Sequence, residues 1–304
     1  MSELLNPVPF APKVVQSDIG VQLQGLQVKT PARDIGDLLV ERGQLTAANL
    51  KKIRALQKKT GKSFEKTALR MRAVRKEHLT TALATKFGYL RDDVSIGSLP
   101  KALPIISAPT SKAAEEYRKL RTMLLTENTP EALELFSIAP ASSAVRVEEL
   151  AANLATSFAI LRKRVLLIDA DLKRGRLRRF FDLPKQKGLF DVLDGSVDFP
   201  GGVCQSSIAN LSVMTSGAPR HNAQELIASE RVSEVFDCAR SLFDMVIVVT
   251  PPVTTDADAR FMWMASPRAL VATRQNETRH HELQNLKSTF RQLDVASLGA
   301  VLMR

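Results

Sequence analysis

The stretch Arg164-Val-Leu-Leu-Ile-Asp169-Ala-Asp171-Leu-Lys-Arg174-Gly175 constrains this chain more than any other. Val165 to Ile168 form a short apolar run bounded by charge. Such a run reads as a strand buried on both faces, the kind found in parallel sheets covered by helices. Asp169 and Asp171 follow at its C-terminal end, the edge where open parallel α/β sheets place their chemistry. Carboxylates there hold Mg²⁺ or orient a water. Equally, they can be solvated turn residues.

The 304 residues suggest two domains, one large enough for a sizeable core. Lys and Arg number 43 against 32 Asp and Glu, a formal charge of +11. That excess favours acidic partners: anionic lipid, nucleic acid, nucleotide or an acidic protein tail. Only two cysteines occur, Cys204 and Cys238, which points to a reducing compartment rather than a disulfide framework. No apolar run approaches the roughly 18 residues of a membrane span. Residues 1–7 lack the basic and apolar regions of a signal peptide. A soluble cytoplasmic protein is expected, with peripheral attachment to the inner membrane through a partner left open.

Residues 1–30 carry Pro7, Pro9, Pro12 and Gly20 and read as a leader or tail. Residues 31–92 read as a small helical domain. Asp34 to Thr46 gives a short helix, a glycine turn and a second helix with Thr46 as N-cap. Aligning Gly36 with Glu65, Leu50 with Leu79 and Gln57 with Lys86 gives one constant offset, which marks a duplicated unit. Residues 93–110, with Pro100, Pro104 and Pro109, read as a linker. Residues 111–304 form the second domain.

The buried strand ending in Asp169-x-Asp171 and a basic turn resembles the second Walker-type motif of bacterial tyrosine kinases, the BY-kinases. These belong to the deviant-Walker P-loop family with the septum-site and partition ATPases. The resemblance runs from about Ser111 to Arg304. It implies an α/β fold: a P-loop-like, mostly parallel sheet flanked by helices. Asp169, Asp171 and Arg174 take family positions as a remnant of the nucleotide and Mg²⁺ site. Glu115-x-x-Arg118-x-x-Arg121 resembles the family's self-association motif and implies a homo-oligomer. As residues alone, they are an ordinary charged helix face with one ion-pair spacing. Gly188-Leu-Phe-Asp-Val-Leu-Asp-Gly195 and the segment Leu211 to Ser229 match further family elements.

Two catalytic parts depart from the family pattern. Leu135 to Pro140 reads as the strand before the phosphate loop. The family's Gly-Lys-Ser/Thr then falls on Arg146, Val147 and Glu148. No glycine lies between Ser137 and Asn153, so a nest of backbone N–H groups is not expected. Glu148 and Glu149 put carboxylates where phosphates would sit, and the helix N-terminus favours them there. In the strand Phe243 to Val253 the Walker B aspartate falls on Val249, which cannot organise Mg²⁺. Asp258 matches a later acidic position. Family kinases continue into a tyrosine-rich tail; this chain has only Tyr89 and Tyr117. Arg176, Arg178 and Arg179, with Arg162, Lys163 and Arg164 upstream, form either a solvated basic face or an anion-binding surface.

The N-terminal unit resembles the N-terminal domain of type II secretion and pilus ATPases, some of which bind cyclic-di-GMP. Copy one keeps Gly36, Leu39, Val40, Gly43 and Leu45. Asp34 replaces the family arginine, and an acid there would repel a dianion. Copy two has Ser63, Glu65 and Arg72 in place of the arginine and both glycines.

Together these readings predict a catalytically inactive regulator or scaffold of exopolysaccharide polymerisation and export. Its partner would be an inner-membrane chain-length protein. No cofactor is expected, with ATP or ADP with Mg²⁺, or cyclic-di-GMP, as open candidates. The alternatives are an active or weakly active autokinase, a cyclic-di-GMP-responsive adaptor, and a partition-type DNA-binding relative. The Glu115 helix and Thr250-Pro-Pro252 argue against nucleic acid as a partner.

Overall fold

The structure is a computed structural model and describes residues 34–86, 103–218, 223–253 and 258–303. The expected leader, residues 31–33 and 87–92 of the expected helical domain (Tyr89 among them), residues 93–102 of the expected linker, and residues 219–222 of the Leu211–Ser229 element lie outside these.

Among the described residues the small domain holds four helices: α1 (Ile35–Glu41), α2 (Ala47–Thr60), α3 (Phe64–Arg70) and α4 (Lys76–Lys86). The duplication is visible in the backbone. Asp34 caps α1 by accepting from Gly36 N–H at 2.8 Å, and its counterpart Ser63 caps α3 by accepting from Lys66 N–H at 3.4 Å. Thr46 caps α2, as expected. Gly43 turns the chain at φ +66°, and Arg72 repeats the left-handed turn at φ +50°. Ile35, Leu39, Leu45, Leu50, Ile53, Ala68, Leu79 and Ala82 close one apolar core.

The end of the expected linker is packed chain. The short helix α5 (Pro104–Ser107) buries Ile105 and Ile106, and both join the main core together with Leu103 and Ala84 of α4. Three apolar residues in four outweigh the prolines, and Pro104 sits at the start of the helix, where it is tolerated. Helix α6 (Lys112–Glu127), capped by Ser111, follows.

The large domain is a seven-stranded sheet, β1 (Leu135–Pro140), β2 (Val165–Asp169), β3 (Cys204–Gln205), β4 (Leu211–Met214), β5 (Met245–Val249), β6 (Arg268–Arg274) and β7 (Ala296–Met303). Its order is β3-β4-β2-β5-β1-β6-β7, and all pairs are parallel except β3 with β4. The expected α/β class and its mostly parallel sheet are therefore present. Helices α7 (Val147–Ala159), α8 (Arg231–Leu242), α9 (Ala259–Ala265) and α10 (His280–Gln292) connect the strands.

β1, β2, β4 and β5 are buried along their whole length. Alternate side chains serve opposite faces, as the pleat requires. Leu167, Ile247 and Val249 pack with Leu150, Leu154 and Phe158 of α7. Leu166, Ile168, Val246 and Val248 pack with Phe190 and Phe236. The connection from β1 crosses β5 to reach β2, while that from β5 crosses β1 to reach β6. The crevice at the strand ends therefore opens above β2, β5 and β1.

An extra methyl tests the small domain's packing. A Cβ on Gly36 would collide with Leu50 Cδ1 and crowd Phe64 at 3.2 Å. Gly36→Ala is expected to cost about 1–3 kcal/mol, read as a shift in the urea midpoint followed by circular dichroism. An unchanged midpoint would mean that Gly36 is spare for a ligand rather than used for helix packing.

Candidate functional site: an eroded phosphate-loop crevice

β2 delivers Asp169 to the crevice with no exposed surface. One carboxylate oxygen accepts from Asp171 N–H at 3.2 Å and the other from Leu177 N–H at 3.0 Å. Asp171 in turn accepts from Arg174 N–H at 3.1 Å and pairs with Arg174 Nε at 3.2 Å. Asp169, Asp171 and Arg174 are thus brought together, with the basic turn folded back on the two acids.

The loop from β1 to α7 lies beside them. Ala141 N–H continues the sheet by donating to Ala272 O at 2.9 Å, and Val145 N–H closes a turn on Ser142 O at 3.2 Å. No residue from 141 to 146 has positive φ. The alternation of right- and left-handed residues that aims successive N–H groups at a phosphate is missing. Val145 and Val147 are buried in the main core. At the phosphate-lysine position the chain therefore anchors a helix instead of presenting a cation. Arg146 precedes α7 without a side-chain capping bond.

Glu148 sits in the second position of α7 and pairs with Arg176 Nη1 at 3.9 Å. This brings an acid of α7 and a cation of the basic turn across the crevice. Glu149 follows Glu148 on α7. Consecutive helical residues point about 100° apart, and the Glu149 charge is felt at Tyr117 of α6. Burial, then the Glu149 charge, pushes the Tyr117 hydroxyl up to about 12.

Val249 ends β5 in register with Ile138 and Asp169. It is buried and fills the Walker B position with a methyl pair. Thr250 Oγ1 donates to Ile138 O at 3.2 Å and accepts from Trp263 Nε1 at 3.2 Å. Asp258 pairs with Lys173 at 3.8 Å. Trp263, Lys173 and the Glu148–Arg176 pair are contacts between distant segments and have no signature in the sequence.

These residues do not fit a Mg²⁺–nucleotide. The cradle would need backbone donors, a lysine and a hydroxyl; it offers an apolar anchor and a carboxylate. The acids left at the edge are spoken for by local N–H groups and arginines.

The other candidate residues have intramolecular partners. Arg118 holds Glu115 at 2.9 Å and donates to Pro109 O at 2.8 Å. Arg121 donates to Ser157 O at the end of α7, also at 2.8 Å. In the small domain Leu39 and Leu45 lie in the core, with Val40 packed against it. Gly36 faces Leu50, whereas Gly43 is open. Asp34 is a helix cap, and Arg54 pairs with both Asp34 at 3.1 Å and Asp37 at 3.0 Å. The retained motif positions are accounted for mainly by helix packing and turning.

No family model matches the chain. Tyrosine-protein kinase YwqD of Bacillus subtilis is 30% identical over 197 residues, covering 65% of this chain and 83% of YwqD. The chain belongs to the bacterial tyrosine-kinase family. Tyrosine-protein kinase ptk of Acinetobacter johnsonii is 31% identical over 211 residues, 69% of this chain but only 29% of that longer protein. The kinase domain of Escherichia coli tyrosine kinase ETK superposes with a TM-score of 0.63 at 26% identity, covering 66% of this chain and 79% of that domain. Among the described residues no helix is long and apolar enough to cross a membrane. The family fold is retained here, with Val147 and Glu148 opening the helix that follows β1.

Burial, chiefly, and the charges of Asp171 and Glu148 push the Asp169 carboxyl up to about 7, against the pull of its two N–H donors. Its folded value is raised, so the native state binds a proton that the unfolded chain has released. Stability contributed this way is present at low pH and is lost as pH rises from about 4 to about 7. In Asp169→Asn this decline is expected to flatten, at the expense of an overall loss because the amide cannot accept both N–H bonds. Urea midpoints of both proteins across that pH range check this. An equally steep decline in the variant would assign the proton elsewhere.

Proposed function

We propose that this chain is a catalytically silent member of the family, a regulator or scaffold of exopolysaccharide polymerisation and export. It would act on an inner-membrane chain-length or export protein, at the cytoplasmic side. The observation that carries this reading is the pairing of Glu148 with Arg176 where a lysine and a hydroxyl should meet phosphate. Buried Val147 and Val249 support it independently. An autokinase would need a phosphate-binding cation at the first position and a carboxylate that organises Mg²⁺ at the second. The small helical domain is, on this reading, a docking module, since most of the cyclic-di-GMP positions of copy one serve its own core.

The test is incubation with labelled ATP and Mg²⁺, following hydrolysis and phosphotyrosine. No turnover above a no-protein control is expected. Magnesium-dependent turnover lost in Asp169→Ala would refute the silent reading in favour of a working autokinase.

Self-association through α6 belongs to the same proposal. A neighbouring copy would have to exchange the intrahelical Glu115–Arg118 pair for an intermolecular one. Light scattering is expected to give an oligomer for the wild type and a smaller species for Arg118→Glu/Arg121→Glu. A monomeric mass for both would remove the self-association claim.

A further inference from the structure

A second crevice lies on the other side of the basic turn, between the ends of β2 and β4. It encloses about 300 Å³, the lower end of the range for small-ligand sites. Its walls carry Lys173, Arg174, Arg178 and Lys185, and among the described residues none that lines it is acidic. Its floor is the chain from Thr215 to Ala218.

The two walls are held together by backbone that only glycine tolerates well. Gly175 turns at φ +44° and Gly217 at φ +82°. A Cβ on Gly175 would collide with Ser216 Oγ. The close approach of the basic turn to the β4 loop thus forms the crevice and fixes its shape.

The charges differ in how they are held. Arg174 is neutralised by Asp171, and Lys173 faces Asp258. Arg178 donates to Leu183 O at 2.9 Å, which orients the guanidinium without cancelling its charge. Lys185 is exposed on the rim. The nearby buried Asp191 is paired with Lys187 and Gly188 N–H. Four cations therefore converge on one small crevice with two partner carboxylates, leaving an excess of positive charge. Arginine forks and lysine ammonium groups converging in this way suit a phosphate dianion.

We propose that this crevice is a phosphate-binding site, separate from the eroded nucleotide site, in which Arg178 and Lys185 grip a phosphomonoester or pyrophosphate group. The same chemistry is offered by a free pyrophosphate-bearing small molecule and by a phosphorylated tyrosine side chain. This site does not depend on whether the chain turns over ATP, and binding rather than turnover tests it.

Full-length protein is titrated calorimetrically at low salt with pyrophosphate, with a short phosphotyrosine peptide, and with the same peptide unphosphorylated. Saturable binding of pyrophosphate or of the phosphopeptide, but not of the unphosphorylated peptide, is expected. Whichever binds more tightly identifies the source of the phosphate. Lys185→Gln, an exposed change that leaves the core intact, should weaken binding about tenfold. Lys163→Gln, at the opposite end of β2, should leave it unchanged. Glu148→Gln should also leave it unchanged. Equal weakening in both lysine variants, tighter binding in Glu148→Gln, or no binding of either phosphate compound would overturn the proposal. The first outcome would mean diffuse surface charge, and the second would put the anion at the eroded site.

Discussion

The buried carboxylate of Asp169 is the constraint on which the crevice depends. A carboxylate without exposure is costly unless its oxygens are satisfied. Here each oxygen takes one backbone N–H, from Asp171 and from Leu177. Those two bonds fix the start and the end of the basic turn. The turn in turn sets Arg176 against Glu148 on one side and Gly175 against Ser216 on the other. One side chain at the end of one strand thus organises both crevices.

This dependence is compatible with the proposed loss of the family's phosphate cradle. The sheet and α7 are held by apolar packing on both faces, and that packing does not require a ligand. Val147 and Val249 add to the core what lysine and aspartate would have withheld from it. Glu148 is favourably placed near the positive end of the α7 dipole, and Arg176 offsets its charge. On the proposed silent reading, the Glu148–Arg176 pair stands in the crevice where a nucleotide phosphate would otherwise be met.

Much of this was legible in the sequence because it is local. Apolar runs bounded by charge marked β1, β2 and β5, and the constant offset between copies marked the repeated caps and left-handed turns of α1 to α4. Register through Asn153 put Val147 and Glu148 at a helix start, and α7 begins there. What was not legible depends on tertiary placement. Asp34 reads as a lost arginine but is a helix cap held by Arg54, twenty residues on. Gly36 reads as a ligand glycine but makes room for Leu50. Proline spacing suggested a linker where Leu103, Ile105 and Ile106 enter the core.

The central claim is that the crevice above β2, β5 and β1 has lost its nucleotide. Equilibrium dialysis of the full chain against labelled ATP, with and without Mg²⁺, tests it most directly. No saturable, magnesium-dependent component is expected in the wild type. Restoring Val147→Lys, Glu148→Ser and Val249→Asp together is expected to be needed before one appears. Stoichiometric magnesium-dependent binding by the unaltered chain, abolished in Asp169→Ala, would contradict the account.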